Sequence, residues 1–157
     1  MILVAIGANL PDRHGAQPLV ACLAAVESLR GLAGLRVVAV SAWHRTTPVP
    51  ASDQPDFCNG VVRLEGDCAP GWLMDRLHRI EAQAGRVRGE RNAARVLDLD
   101  LIDLNGRVTT GPVKLPHPRA HARAFVLAPL AEVAPDWIHP VLRVGVAALL
   151  DAVGGRP

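Results

Sequence analysis

The sequence predicts an α+β fold: a ferredoxin-like β-α-β-β-α-β order, an antiparallel-rich sheet, and helices on both faces, three α/β/α layers in all. Three observations support this. Aliphatic and β-branched runs of strand length alternate with two stretches of helical period. Glycine, proline and asparagine punctuate the boundaries between them. With 157 residues, 50% of them hydrophobic, the chain can fill a core, so 1–157 is expected to be a single domain.

The elements follow in order. Residues 2–6 are an apolar strand that ends at the turn "GANL". A helix over about 16–30 aligns Leu19, Cys22, Leu23, Val26 and Leu29 on one face, with Pro18 tolerable in its first turn. "LRVVAVSAWHR" (35–45) is a β-branched strand, and "TTPVPASDQPDF" is a long loop with three prolines. "NGVVRLEG" is the next strand. "APGWLMDRLHRIEAQAG" is a second helix with Leu73, Leu77, Ile80 and Ala84 aligned and Gly85 as its stop. "RVRGERNAAR" (86–95) is a basic loop that feeds the strand "VLDLDLIDL", and Asn105-Gly106 signals a hairpin into "RVTT". A second basic loop, "PHPRAHARAF", precedes helical patterns around 123–132 and 144–153.

Bulk properties exclude several classes. A formal charge of +2 is too mild to imply a nucleic-acid binder. No apolar run reaches membrane-spanning length, and "MILVAIGANL" lacks the basic start of a signal peptide. A cytoplasmic chain is expected, and the absence of an exposed heptad suggests a monomer. Cys22, Cys58 and Cys68 lack metal-ligand spacing, and Cys22 reads as a buried reduced thiol.

The chemistry concentrates in "RVLDLDLID" (95–103). Strand alternation puts Leu97, Leu99 and Leu101 on one face, Asp98 and Asp100 on the other, and Asp103 on the leucine side if the strand stays regular. Aspartate is a poor strand former, and two on one face repel. A half-exposed edge strand with solvated acids is one reading. A Mg²⁺ site is the other, because hard cations gather carboxylate oxygens. Arg86, Arg88, Arg91 and Arg95 lie just upstream, and His117, Arg119, His121 and Arg123 lie in the later loop. Four arginines exceed what two acids need for ion pairing, and the surplus suits a polyphosphate. Neither G-x-x-x-x-G-K-[ST] nor G-x-G-x-x-G is present, and no serine has a nucleophile context.

Five ordered blocks carry a resemblance: "AIGANL", "RTTPVPASDQPDFCNGVV", "RIEAQAGRVR", "ARVLDLDLI" and "LPHPRAHARAFVLAPLAEVAP". Over nearly its whole length the chain resembles the 6-hydroxymethyl-7,8-dihydropterin pyrophosphokinase family of folate biosynthesis. The resemblance implies ATP as co-substrate, a hydroxymethyldihydropterin as acceptor, and two Mg²⁺ ions held by Asp98 and Asp100. It implies ATP-binding and catalytic roles for Arg86 and Arg95, nucleotide contacts from Arg88, His117 and Arg123, and a backbone contact to adenine at Leu101. It places the pterin against Thr46, Thr47, Val49, Phe57, Asn59 and Phe125. Aromatic faces and an amide are the groups a flat, hydrogen-bonding heterocycle needs. Core packing is the bland account of the two phenylalanines, and a turn before Gly60 is that of Asn59.

This chain also departs from the family's pattern. "RGERNAAR" lacks the Trp-Gly-Pro common there, with Asn92 near the place of the aromatic residue. Thr47 replaces a common proline, and His78 stands where glutamine is frequent. Two other classes remain open. A metal-dependent phosphohydrolase would release phosphate without pterin, and a non-catalytic binding module would tolerate loss of Asp98.

Overall fold

The computed structural model describes residues 1–11, 14–48, 50–85 and 96–154. Val49 and the loop 86–95, with Arg86, Arg88, Arg91, Asn92 and Arg95, lie outside the described residues. Strands β1 (Ile2–Ala8), β2 (Leu35–Val40), β3 (His44–Thr46), β4 (Phe57–Gly66) and β5 (Asp98–Leu104) form one sheet. The order is β2-β4-β1-β5, with β3 on β4, and every pairing is antiparallel. Helices α1 (Pro18–Arg30), α2 (Pro70–Gln83), α3 (Ala124–Val133) and α4 (Val146–Ala152) complete the fold, with a 3-10 turn at Ala120–Ala122.

The layering follows from alternation along β1. Ile2, Val4, Ile6 and Ala8 enter a core with α1 and α2, represented by Cys22, Leu29, Leu73 and Leu77. Leu3 faces the opposite way, into a core with Leu127, Leu130, Trp137 and Leu149 from the α3 and α4 side. A central strand buried on both faces reads as a continuous apolar run, as β1 does. Proline opens both α1 and α2, where its missing N–H costs no helical hydrogen bond. Gly85, at φ 94, ends α2 in a conformation that side chains disfavour.

Four local expectations change. Leu19 and Leu23 are exposed at 43% and 48%. The buried stripe of α1 is instead Ala21, Cys22, Ala25, Val26 and Leu29, whose small members bring the helix close to the sheet. The predicted strand 35–45 is two strands on the same edge of β4. The ladder breaks where the Ser41 hydroxyl accepts the Val61 N–H (2.9 Å) and donates to Ala42 O (2.8 Å).

Asn105 and Gly106 do take left-handed conformations, φ 53 and 74, but no hairpin follows among the described residues. Asn105 is held elsewhere: Oδ1 accepts the Met1 ammonium (2.7 Å) and Nδ2 donates to Gly66 O (3.0 Å). "RVTT" retains only an isolated bridge, Thr109 to Leu115.

Asp103 also leaves the leucine parity. The β1–β5 register shifts between Leu3 and Val4, so β5 carries one extra residue, and Leu101 and Leu104 both reach the α1/α2 core. Ile102 turns to the other core, and Asp103 follows, accepting the Trp137 indole N–H (2.7 Å) and the Gly106 N–H (2.9 Å).

Candidate active site

The C-terminal end of β1 meets the N-terminal ends of β4 and β5, because antiparallel neighbours run in opposite directions. One row across the sheet therefore reads His44–Asn59–Gly7–Asp98. Directly paired residues share a face, so Asn59 and Asp98 flank a glycine with no side chain between them. Two residues further along β5, Asp100 pairs with Ala5 on that same face. These residues open into a cavity of ≈ 290 Å³, at the small end for a ligand site.

The cavity gathers Thr46, Thr47, Phe57, Asn59, Asp98, Asp100, His117, Arg123 and Phe125, nine of the residues singled out from the sequence. Leu101 is the described exception: its side chain lies in the core at 3% exposure. Its backbone is placed differently. Leu99 N–H donates to Glu81 Oε2 (2.8 Å), and strand alternation puts the Leu101 amide on the same edge.

Asn59 is a strand residue, not a turn residue, and is 7% exposed. Its Nδ2 donates to Thr46 Oγ1 in a very short contact, which orients the amide. A Cβ at Gly7 would lie 2.7 Å from Asn59 Oδ1, so the glycine makes room for that oxygen. Gly60 has a different role: its missing Cβ admits the Trp43 ring, 2.6 Å from where that atom would be. Phe125 opens α3 beside Arg123, whose guanidinium carbon is 5.5 Å from the ring centroid.

The electrostatics divide along the cavity. Asp98 and Asp100 are half-buried on one wall, facing Arg119, Arg123 and His117. His117 Nε2 stands 4.0 Å from Asp100 Oδ1, and its Nδ1 accepts the Arg119 N–H (3.1 Å). Burial, reinforced by Arg123 and Arg119, lowers the His117 pKa to about 4 against an opposing pull from Asp98. The ring is thus neutral near pH 7, with its proton on Nε2 toward Asp100. His121, in the same loop, does not line the cavity and packs edge-on to His139.

Two same-face carboxylates beside open space and cationic side chains fit Mg²⁺, which takes few protein ligands and keeps positions for water and phosphate. Among the described residues there is no group of three or more His, Cys, Asp or Glu that could hold a metal.

Sequence reasoning missed several lining residues. From sequence Gly7 reads only as part of a turn, and Gln54 only as loop. Glu81, 3% exposed, had a signal: it falls one residue after Ile80 and four after Leu77, inside the apolar arc of α2. Gln54 is brought in by Asn9, whose Nδ2 donates to Gln54 Oε1 and Pro55 O, both at 3.0 Å.

Comparison with known proteins identifies the family. Residues 3–135 match the family described as 7,8-dihydro-6-hydroxymethylpterin-pyrophosphokinase. The chain is 42% identical over 136 residues to the 2-amino-4-hydroxy-6-hydroxymethyldihydropteridine pyrophosphokinase of Pseudomonas aeruginosa, covering 86% of this chain and 81% of that one. The Methylorubrum extorquens protein of the same name is 42% identical over 135 residues, 85% and 82% of the two chains. A crystal structure of Plasmodium falciparum HPPK-DHPS superposes with TM-score 0.68 at 12% identity, so it supports the fold alone; it matches 96% of this chain, which spans 43% of that one. The chain belongs to the 7,8-dihydro-6-hydroxymethylpterin-pyrophosphokinase family and is an enzyme of the diphosphotransferase class.

Proposed function

We propose that the chain transfers the pyrophosphoryl group of ATP to the hydroxymethyl oxygen of 6-hydroxymethyl-7,8-dihydropterin, giving AMP and the pterin diphosphate for folate biosynthesis. The row Asn59–Gly7–Asp98 is the observation that supports this most directly. It sets a heterocycle-reading amide and an acidic pair on one face, separated by the width of one unsubstituted strand.

In this reading Asn59, oriented by Thr46, matches the donor–acceptor edge of the pterin, and Phe57 and Phe125 supply aromatic surface. The substrate's hydroxymethyl group then reaches across Gly7 toward Asp98 and Asp100. The oxygen attacks the β-phosphorus and gives up its proton to solvent, the bond from that phosphorus to the α–β bridging oxygen breaks, and AMP leaves. Asp98 and Asp100 would hold Mg²⁺, two ions by resemblance, which when bound neutralises phosphate charge and acidifies the attacking hydroxyl. Arg119 and Arg123 add positive charge along the phosphate path, and His117 donates rather than accepts at Nε2. Arg86, Arg88 and Arg95 are proposed to act on the same phosphates, and Val49 to border the pterin. The Leu101 backbone edge is the proposed adenine contact.

The test is incubation with ATP, Mg²⁺ and the hydroxymethyldihydropterin, with nucleotide products separated. AMP formed in step with pterin diphosphate is the expected result. ADP, or phosphate released without pterin, would overturn the reading.

A further inference from the structure

Glu132 lines no part of the cavity, yet it is tied to the wall that does. It sits near the end of α3, the helix that carries Phe125 at its start. Its Oε1 accepts the Ala42 N–H (2.8 Å), and its Oε2 meets His44 Nε2 in a very short contact. Ala42 belongs to the break between β2 and β3, where the ladder to β4 is interrupted, and His44 opens β3.

β3 is three residues long and leads into the proline-rich loop after Thr46. Such a strand is much shorter than the usual five or so residues and has little pairing of its own to hold it. α3 by contrast is fixed by Val126, Leu127, Leu130 and Val133, all buried. The carboxylate therefore links a marginal strand to a firmly seated helix. What depends on β3 is Thr46, the acceptor that orients Asn59.

We propose that Glu132 is a positioning residue for the heterocycle-binding wall. By holding Ala42 and His44 it keeps Thr46, and through Thr46 the Asn59 amide, in fixed register with Phe125 on the same helix. The proposal rests on the reading that Thr46, Asn59 and Phe125 receive the pterin. Its effect falls on that substrate and not on the nucleotide, because no acidic or phosphate-facing group described above contacts Glu132.

The experiment compares wild type, Glu132→Ala, Glu132→Gln and His44→Ala by steady-state AMP release, varying each substrate in turn, with thermal melting alongside. Wild type must first make AMP with pterin; failure there refutes the functional reading before Glu132 is tested. Glu132→Ala should raise the pterin KM about tenfold or more, because loss of an orienting contact relaxes the bound geometry, with the ATP KM within about twofold. Glu132→Gln keeps an acceptor for the Ala42 N–H and should recover most of the loss. His44→Ala should give a smaller pterin-specific rise. Equal increases in both KM values, or melting lowered with the pterin KM unchanged, would overturn the proposal. If Glu132→Ala does not fold, an unchanged pterin KM in His44→Ala would do the same.

Discussion

Replacing Gly7 by alanine tests how the amide and the acids share one strand. The glycine is not needed for its backbone conformation, since its φ is not in the left-handed region. It is needed for space: the added Cβ would stand 2.7 Å from Asn59 Oδ1 and 3.8 Å from Cys58 O. Carbon atoms rest comfortably at about 3.5–4 Å, and a C···O contact only slightly closer, so the amide must move by roughly 0.5 Å or more. Asn59 is 7% exposed, and its Nδ2 is committed to Thr46, so any shift stretches or breaks that bond. A buried polar group deprived of its partner costs about 1–3 kcal/mol. If that cost appears in the pterin complex, affinity falls about 5- to 150-fold. The contacts Gly7→Ala creates are on the Asn59 side, so the ATP KM should change by less than about threefold. Steady-state AMP release with each substrate varied, together with thermal melting, reads both quantities. A pterin KM within twofold of wild type in a folded Gly7→Ala protein would refute the assignment of Asn59 as the reading group.

Three other outcomes are expected. Asp98→Asn or Asp100→Asn should lower kcat by about 100-fold or more at saturating Mg²⁺, while melting changes little, because the acids serve charge stabilisation and not the core; unimpaired turnover would remove them from the chemistry. Trp137→Phe should destabilise by about 2 kcal/mol with activity retained, since it strips a donor from buried Asp103 and leaves the cavity intact; chemical denaturation measures it. His139 gives a pH dependence. Burial, with His121 nearby, lowers its pKa from 6.5, and its Nδ1 accepts the Val141 and Leu142 N–H groups. The unfolded chain therefore takes up a proton that the folded one resists. The stabilisation is complete above pH 6.5 and is lost as pH falls through the lower folded value. The gap in unfolding free energy between wild type and His139→Asn should narrow as pH falls from about 7.5 to about 5; a gap independent of pH would contradict this.

The legible parts of the site were those set by local period. Asp98 and Asp100 share a face because strands alternate, and that pattern is visible in five letters of sequence. The order of strands and helices was legible for the same reason. Asn59 was ambiguous because Asn-Gly reads as a turn; only the Trp43 ring against Gly60 shows why glycine follows it inside a strand. Gly7 was opaque because its role is a cross-strand clearance, set by a residue 52 positions away in the β1–β4 register. Leu19 and Leu23 misled because helix rotation was set by small residues packing against the sheet, not by the largest hydrophobic ones. Asn105-Gly106 formed its turn but not its hairpin, because Met1 and Gly66 claim the asparagine side chain. Tertiary partners decide such cases, and a window of sequence does not contain them.

The extra residue in β5 has an electrostatic meaning. Regular alternation would carry Asp103 to the side of Leu99 and Leu101, into the apolar α1/α2 core, where a carboxylate is costly to bury. The inserted Ile102 turns it instead to the face of Leu3, its partner across β1, the face that Asp98 and Asp100 share. There the Trp137 indole and the Gly106 amide donate to it, while Asp98 and Asp100 line the cavity. A single inserted isoleucine thus spares the α1/α2 core a buried charge and gives that charge to the opposite layer as a structural anchor.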